Sequence, residues 1–206
     1  MTDPTMTYSE WRTRIEERFA SMAPVPDSRK RHLSPSGRYE LEVCEYTAGE
    51  TTWNYSQGTV RRSEDASQVA NIRRNYGLFW FAWVVNDSEE SLLCGEDYQG
   101  YNVINLSTGV NVLTFPREAF DGGGYCWAAA HPSPDGTVVA VEGCYWACPY
   151  SLTLYDFSDP ARSPLPQLAR YEDLDQVEGW VSRGNFAFTV GEGEEHMKLV
   201  WQRDEA

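Results

Sequence analysis

The sequence predicts an all-β protein that begins with one α-helix and continues as about four repeated antiparallel sheets. Helical spacing of apolar residues is clearest at the start of the chain, before residue 23. From Leu33 onward, short runs rich in Val, Tyr, Phe and Trp alternate with clusters of Gly, Pro, Asn, Asp and Ser, which is typical of strands joined by turns. A polar turn followed by an apolar strand also recurs, which indicates repeated units.

The N-terminal segment at residues 7–22 predicts the helix. Thr7 followed by Glu10 fits a capping box, in which each residue satisfies a backbone N–H of the first turn. Apolar residues at helical spacing form one face, which consists of Trp11, Ile15, Phe19 and Met22. Two prolines follow and stop the helix. We expect a helix over residues 8–21 that buries the first three of these side chains and covers a sheet edge.

The repeat is clearest at two four-residue turns. Ser34-Pro35-Ser36-Gly37 and Ser133-Pro134-Asp135-Gly136 each precede an apolar strand, and their glycines are 99 residues apart. Two units of about 50 residues fit that distance, and residues 87–90 form an intermediate copy between them. A weaker fourth copy lies at residues 182–184. We expect strands, antiparallel within each pair, over residues 91–96, 101–106, 137–143 and 152–157.

The second half of each unit predicts a hairpin. Residues 102–115 read as two alternating strands joined at Ser107-Thr108-Gly109. Residues 59–72 and 152–168 have the same rhythm of strand, polar turn and strand. A helix is an alternative near the first of these, because helical spacing also relates Val69, Ile72 and Tyr76.

Residues 133–159 resemble one blade of the WD40-like β-propeller repeat proteins, through the Ser-Pro-Asp-Gly turn and a third strand that ends in Tyr-Asp-Phe-Ser. The resemblance implies a β-propeller-like array of about four antiparallel blades over residues 33–206, preceded by the helix and a linker over residues 1–32. Such an array would be a four-bladed ring, an open partial propeller, or half of a propeller completed by a second copy of the chain. Residues 95–104 and 143–150 also resemble segments of a bacterial group without assigned function.

Composition restricts the partners and the compartment. The chain has 17 basic and 31 acidic residues and a formal net charge of −14, a field that repels phosphate backbones, so we expect no nucleic-acid partner. The longest apolar stretch, residues 78–85, is far shorter than the roughly 20 residues that span a bilayer. No leader peptide is visible, so we expect a cytoplasmic protein without membrane contact and with its 5 cysteines as free thiols.

Two loops at equivalent positions of consecutive units, residues 95–102 and 143–150, combine aromatic and acidic side chains. We expect both loops on one rim of the array, where aromatic area beside carboxylates suits a protein loop or a sugar. Packing of these aromatic residues inside the sheets is the alternative, because the chain holds 8 Trp and 12 Tyr. The predicted binding residues are Glu96, Asp97, Tyr98, Tyr101, Trp127, Tyr145, Trp146 and Tyr150.

A group of cysteines near the second loop raises the question of a metal. Cys144 and Cys148, with Cys126 and His131 in the preceding strand, offer the sulfur and nitrogen atoms that zinc prefers. The paired Cys-x-x-Cys knuckles of most zinc sites are absent, as is the spacing of a thioredoxin-like redox pair. We therefore predict an aromatic loop packed over its sheet, with no metal and no cofactor.

Catalytic patterns are sparse. The three histidines are scattered, and His131 directly precedes a turn that it would stabilise. Glu96, Asp97 and Glu142 could form a carboxylate pair across adjacent blades, as in glycoside hydrolysis. Residues 121–124 lack the following helix of a phosphate-binding loop and read as a flexible linker between blades.

The sequence thus favours a non-catalytic recognition or scaffold module, which binds a protein partner through an aromatic and acidic rim. The negative charge favours a basic partner. The alternative is a small hydrolase that acts on a carbohydrate or another polar substrate, which would need two carboxylates about 5–10 Å apart in a cleft. A homo-oligomer that completes a propeller is a further expectation.

Overall fold

A computed structural model describes residues 7–50, 52–146, 148–192 and 195–203. These residues form one α-helix and four antiparallel sheets, so the predicted all-β fold class is confirmed. The helix α1 (Tyr8–Ala20) precedes all four sheets. The first sheet contains β1 (Ala23–Pro24), β2 (Lys30–Leu33), β3 (Tyr39–Thr47), β4 (Tyr55–Arg62) and β5 (Gln68–Arg74).

The other three sheets follow one another along the chain. The second contains β6 (Phe81–Asn86), β7 (Glu89–Cys94), β8 (Tyr101–Asn105) and β9 (Asn111–Thr114). A 3-10 helix (Arg117–Asp121) leads to the third, which contains β10 (Tyr125–Pro132), β11 (Val138–Tyr145), β12 (Ser151–Asp156) and β13 (Gln167–Tyr171). The fourth contains β14 (Leu174–Trp180), β15 (Asn185–Glu192) and β16 (Glu195–Gln202).

Consecutive strands of each sheet pair antiparallel in chain order, except that β1 and β2 both pair with β3. The four predicted strands correspond to β7, β8, β11 and β12, and their pairing is antiparallel as expected. The helical alternative at Val69 and Ile72 is wrong, because both residues lie in β5, where Ile72 pairs with Gly58 of β4. Residues 121–124 lie between the second and third sheets, and Gly122 caps the 3-10 helix there in the left-handed conformation.

The two clearest copies of the repeated turn have the same geometry. The amide of Gly37 donates to the carbonyl of Ser34 over 2.8 Å, and Gly136 donates to Ser133 over 2.9 Å. Both glycines have positive φ, 73° and 67°, which disfavours any side chain. A Cβ at Gly136 would also lie 2.0 Å from the carbonyl oxygen of Val85 in the second sheet. Glycine at this turn therefore lets the second and third sheets approach each other closely.

Apolar side chains fill three interfaces between consecutive sheets. The first interface, between sheets one and two, contains Tyr39, Leu41, Val60, Ile72, Phe79, Leu92, Cys94, Ile104 and Leu106. The second contains Trp80, Val84, Leu93, Tyr101, Val103, Trp127, Val139, Val141, Phe157 and Leu165. The third contains Val138, Ala140, Leu152, Leu154, Phe186, Phe188 and Trp201. Neighbouring residues of one strand thus enter opposite interfaces, which explains why the inner strands read as continuous apolar runs.

The first and fourth sheets each turn polar pairs outward. Glu42 on the first sheet lies 3.3–3.8 Å from the guanidinium groups of Arg29, Arg31 and Arg61. Lys198 on the fourth sheet donates to Glu178 over 2.5 Å. Across the ranges that the structure describes, no hydrophobic cluster contains residues of both the first and the fourth sheet. The described array is therefore a stack with three internal interfaces.

No helix in the described ranges is long and apolar enough to span a membrane.

The helix α1 covers the outer edge of the stack, as predicted. Thr7 and Glu10 form the capping box at its start. Trp11, Ile15 and Phe19 are buried, and their apolar neighbours belong to the first sheet and to the segment after the second, namely Tyr46, Tyr55, Phe115 and Phe120. The helix therefore connects the first two sheets, in addition to their shared interface.

A buried carboxylate ties the second sheet to the repeated turn of the first. Glu90 accepts hydrogen bonds from the amide of Ser36 at 2.8 Å and from the hydroxyls of Ser36 and Ser34 at 2.6 and 3.1 Å. The guanidinium of Arg38 lies 3.6 Å away. These contacts satisfy a charge that is removed from water, so the turn and the next sheet depend on each other.

We predict that Glu90→Ala lowers the free energy of unfolding by about 2–3 kcal/mol, because it removes a buried acceptor of three hydrogen bonds and leaves the buried hydroxyl of Ser34 without that partner. Urea denaturation followed by far-UV circular dichroism measures this loss. Glu64→Ala, at an exposed turn of the first sheet, serves as the control and should change stability by less than about 0.5 kcal/mol. Equal effects of the two substitutions would contradict the role assigned to Glu90.

Candidate functional site

The loops of all four sheets gather at two opposite ends because the strands run alternately up and down. The loops between β3 and β4, β7 and β8, and β11 and β12 lie at the same end as the links between consecutive sheets. We call this the loop end. The opposite end, which we call the turn end, carries the repeated Ser-Pro turns and the hairpin turns of each sheet. The predicted binding loops therefore belong to one end.

Two side chains from different sheets meet on this end. The ring of Tyr98, from the β7–β8 loop, lies 5.9 Å from the ring of Trp146, after β11. Trp146 is 68% exposed, and Tyr145 and Tyr150 beside it are also exposed. We call these four residues the aromatic rim. A large aromatic area that remains in water in the folded chain is the kind of surface that partners bury.

The acidic part of the predicted rim is not at the surface. Glu96 and Asp97 are 3% and 5% exposed, so the expected mixture of exposed aromatic rings and carboxylates is wrong. The carboxylate of Glu96 accepts three hydrogen bonds. They come from the guanidinium of Arg12 in α1 over 2.7 Å, from the hydroxyl of Tyr8 and from the side-chain amide of Asn102 over 3.2 Å. Burial raises the pKa of Tyr8 far above its usual value, so the phenol stays protonated and donates. Glu96 thus holds the helix against the second sheet.

The carboxylate of Asp97 is also held by hydrogen bonds. It accepts from the side chain of Asn75 over 2.8 Å and from the amides of Tyr98 and Gln99 over 2.7 and 3.3 Å. Burial nevertheless raises the pKa of this carboxyl above its usual value. Arg74 donates to the carbonyl of Asp97 over 2.6 Å, and burial lowers the pKa of Arg74 to about 10, which leaves it charged at neutral pH. This network shapes the loop from which Tyr98 projects.

Tyr101 and Trp127 are buried rather than exposed, and both line an aromatic pocket between the second and third sheets. The ring of Trp127 lies 4.4 Å from that of Tyr101 and stacks on that of Tyr155 at 5.1 Å. The pocket has a volume of about 220 Å³. Its other walls include Pro116, Glu118, Tyr125, Tyr145, Pro164 and Leu165. Tyr145 also belongs to the aromatic rim, so the pocket and the rim are continuous.

Hydroxyl groups and one cation organise the pocket. The hydroxyl of Tyr101 accepts from the amide of Leu165 over 2.7 Å. Burial raises the pKa values of Tyr101, Tyr125 and Tyr155, so these phenols remain neutral hydrogen-bonding groups. The guanidinium carbon of Arg170 lies 4.6 Å from the ring centre of Tyr145 and 5.4 Å from that of Tyr125. This cation–π contact fixes both rings at the mouth of the pocket.

Sequence reasoning missed three members of this arrangement, namely Tyr125, Tyr155 and Arg170. Tyr125 and Tyr155 alternate with apolar residues in β10 and β12, which is the usual signature of a packed strand. Arg170 comes from β13, and nothing local distinguishes it from other exposed arginines. A second exposed aromatic pair was also missed: Trp53 and Tyr76 have their ring centres 5.1 Å apart in the first sheet and the link that follows it.

The cysteines do not gather around one point. Cys126 and Cys144 face each other across β10 and β11, and Cys148 is exposed on the following loop. His131 pairs instead with Glu142, whose oxygen lies 2.6 Å from Nε2. Residues 7–50, 52–146, 148–192 and 195–203 contain no group of three or more His, Cys, Asp or Glu that could hold a metal ion. All five cysteines are free thiols.

The three carboxylates that could form a catalytic pair for hydrolysis are each engaged by a different partner. Glu142 lies on β11 with His131, whereas Glu96 and Asp97 are enclosed by the helix and the loop network. A general acid needs access to the substrate and a proton, and neither buried carboxylate has a free oxygen facing a cavity of useful size. The arrangement therefore offers aromatic surface and hydroxyl groups for binding.

Comparison with known proteins adds one relative. The chain is 39% identical over 150 residues to an uncharacterized protein of Acanthamoeba polyphaga mimivirus. The match covers 70% of this chain and 56% of the viral protein, so the chain spans little more than half of its relative. No protein-family model matches the chain. The fold and the geometry of the loop end define the class as an all-β protein of propeller-like sheets with an exposed aromatic surface at one end.

We predict that Glu96→Ala releases α1, because it removes the acceptor shared by Tyr8 and Arg12. Hydrogen exchange with mass spectrometry should show the amides of residues 8–20 exchanging at least about tenfold faster, with the inner strands unchanged. Glu17→Ala, on the exposed face of the same helix, is the control. Unchanged protection of the helix in Glu96→Ala would show that Glu96 does not anchor it.

We predict that one cysteine reacts with iodoacetamide at mildly alkaline pH, namely Cys148, because it is the exposed thiol. Burial raises the pKa of Cys126 to about 12 and also raises that of Cys94, which keeps both as unreactive thiols. Peptide mass spectrometry should show Cys148 modified at least about tenfold faster than the other four. Cys148→Ser should remove the fast phase, and equal rates at Cys126 would contradict this geometry.

Proposed function

We propose that this chain is a non-catalytic recognition module that binds a protein partner through the aromatic rim. The observation that carries the proposal is the contact between the half-buried Tyr98 and the exposed Trp146, two residues from different sheets. Tyrosine and tryptophan at the centre of a rigid surface are the residues that most often dominate binding energy. The network around Asp97 and the Arg170 contact hold both sides of the rim in place.

The aromatic pocket extends this surface inward. Its volume of about 220 Å³ accommodates one side chain of a partner, and its walls combine ring faces with tyrosine hydroxyls. A partner that lies across Trp146 would thus insert one residue beside Tyr145. Because the pocket lies between two sheets with a shared core, binding requires little rearrangement of the chain.

The resemblance to WD40-like repeats supports the same function. We propose that the sheets are degenerate blades of that kind, because the Ser-Pro turns have equal hydrogen bonding and the sheets stack through their faces. The net charge of −14 favours a basic partner and disfavours nucleic acid. We place this activity in the cytoplasm, where the free thiols would persist.

The test is the double substitution Tyr98→Ala and Trp146→Ala. The purified wild-type chain is used to capture partners from native extract, and the affinity of each captured protein is then measured with both proteins purified. We expect at least about a thirtyfold loss of affinity, because a central aromatic residue contributes about 2 kcal/mol or more. The double variant should keep the circular dichroism spectrum of the wild type.

A matched control removes two exposed apolar side chains elsewhere, Val181 after β14 and Val200 on β16, by substitution with alanine. This control should bind as tightly as the wild type. Equal affinity of the rim variant and the wild type for every captured protein would reject the aromatic rim as the binding surface.

A further inference from the structure

A second cavity opens at the turn end between the second and third sheets. It has a volume of about 670 Å³, within the range of ligand sites in proteins. Its floor is apolar and consists of Val84, Val103 and Phe157, all of which are almost fully buried. We call it the turn-end cleft. It lies at the opposite end of the sheets from the aromatic rim, so it forms a separate surface.

Carboxylates surround the opening of this cleft. Asp87, Glu89 and Asp159 line it, and no lysine or arginine is among its lining residues. Within the part of the chain that the structure describes, none of the three forms an ion pair. Glu89 receives one long hydrogen bond, from Asn105 at 3.4 Å, and Asp159 accepts one from a backbone amide of its own turn. These charges therefore remain available to a cation from outside.

Three arginines lie near the cleft, and none of them lines it. Arg162 follows the lining residue Ala161, and its backbone amide donates to the carbonyl of Asp159 over 3.1 Å. The other two are committed on the side of the first sheet. Arg38 donates to the carbonyl of Ser88 over 3.1 Å and also lies beside Glu90. Arg62 donates to the carbonyl of Ser107 over 2.9 Å. Neither guanidinium lines the cleft, so neither neutralises its carboxylates directly.

One hydroxyl group lines the cleft. Ser91 is only 6% exposed, and no described residue forms a hydrogen bond with its hydroxyl. Its oxygen keeps contact with solvent, since it does not belong to the buried atoms that lack a partner. A group that enters the cleft and supplies a hydrogen bond would take the place of water at this hydroxyl.

We propose that the turn-end cleft binds a basic segment of a partner protein by accepting one lysine or arginine side chain. The aliphatic part of that side chain would cover Val84, Val103 and Phe157, and its cationic end would donate to the surrounding carboxylates and to Ser91. Charge complementarity selects this occupant, since the cleft combines an apolar floor with unpaired negative charge. The proposal is independent of the aromatic rim, because the two surfaces share no residues.

The test titrates the full ¹⁵N-labelled chain with blocked five-residue alanine peptides that carry lysine, arginine, norleucine or glutamate at the centre. The lysine or arginine peptide should produce saturable shifts at the amides of Ser91, Val103 and Ser158. The norleucine and glutamate peptides should not. Glu89→Gln with Asp159→Asn should weaken binding at least about fivefold, while Glu50→Gln with Glu64→Gln, the same charge change at distant exposed sites, should not.

Ser91→Ala separates a binding role from a structural one. Because no described residue forms a hydrogen bond with the hydroxyl, this substitution should leave Tm unchanged or raise it, yet weaken binding of the cationic peptide. A loss of Tm with unchanged binding would assign the hydroxyl to the fold and overturn its role as a ligand group. Equal weakening by both charge-neutral pairs would show only a general attraction to the acidic protein. Saturable binding of spermine without binding of either cationic peptide would also overturn the proposal, in favour of a free amine.

Discussion

Consecutive sheets of this protein bury the faces that they turn towards each other, and the remaining features depend on those three interfaces. A single small antiparallel sheet has too little buried area to be stable by itself, so the second and third sheets exist only between neighbours. Leu92 and Leu93 illustrate the constraint, because these adjacent residues are both fully buried and enter different interfaces. Polar contacts such as those of Glu90 then fix the distance and orientation of sheets that apolar packing alone would allow to slide.

Stacking also determines where binding surfaces can form. Sheet faces are occupied by the core, so the free surfaces lie at the two ends and on the outer sides of the first and fourth sheets. At the loop end, neighbouring loops bring Tyr98 and Trp146 into contact. At the turn end, the second and third sheets diverge below Phe157 and leave the turn-end cleft. The loop end is aromatic and the turn end is acidic, which allows the two ends to contact chemically different parts of a partner.

Much of the fold could be predicted from local sequence, because its strands, turns and helix have local causes. The capping box of α1, the positive-φ glycines of the Ser-Pro turns and the continuous apolar runs of β7 and β11 all act within a few residues. The state of Glu96 and Asp97 could not be predicted in the same way. Glu96 is buried because Tyr8 and Arg12, more than 80 residues earlier, reach it from the helix, and no pattern near Glu96 records that contact. Tyr155 and Arg170 join the aromatic pocket for similarly distant reasons.

Native-state hydrogen exchange across the four sheets tests most directly whether the stacked interfaces hold the chain together. If they do, amides of β7 and β11, which lie in sheets covered on both faces, should exchange at one common slow rate set by global unfolding. Amides of β16, at the edge of the fourth sheet, should exchange faster. Exchange of β7 and β11 at unrelated rates, or greater protection of β16 than of either, would show that the sheets are stable separately and would contradict this account.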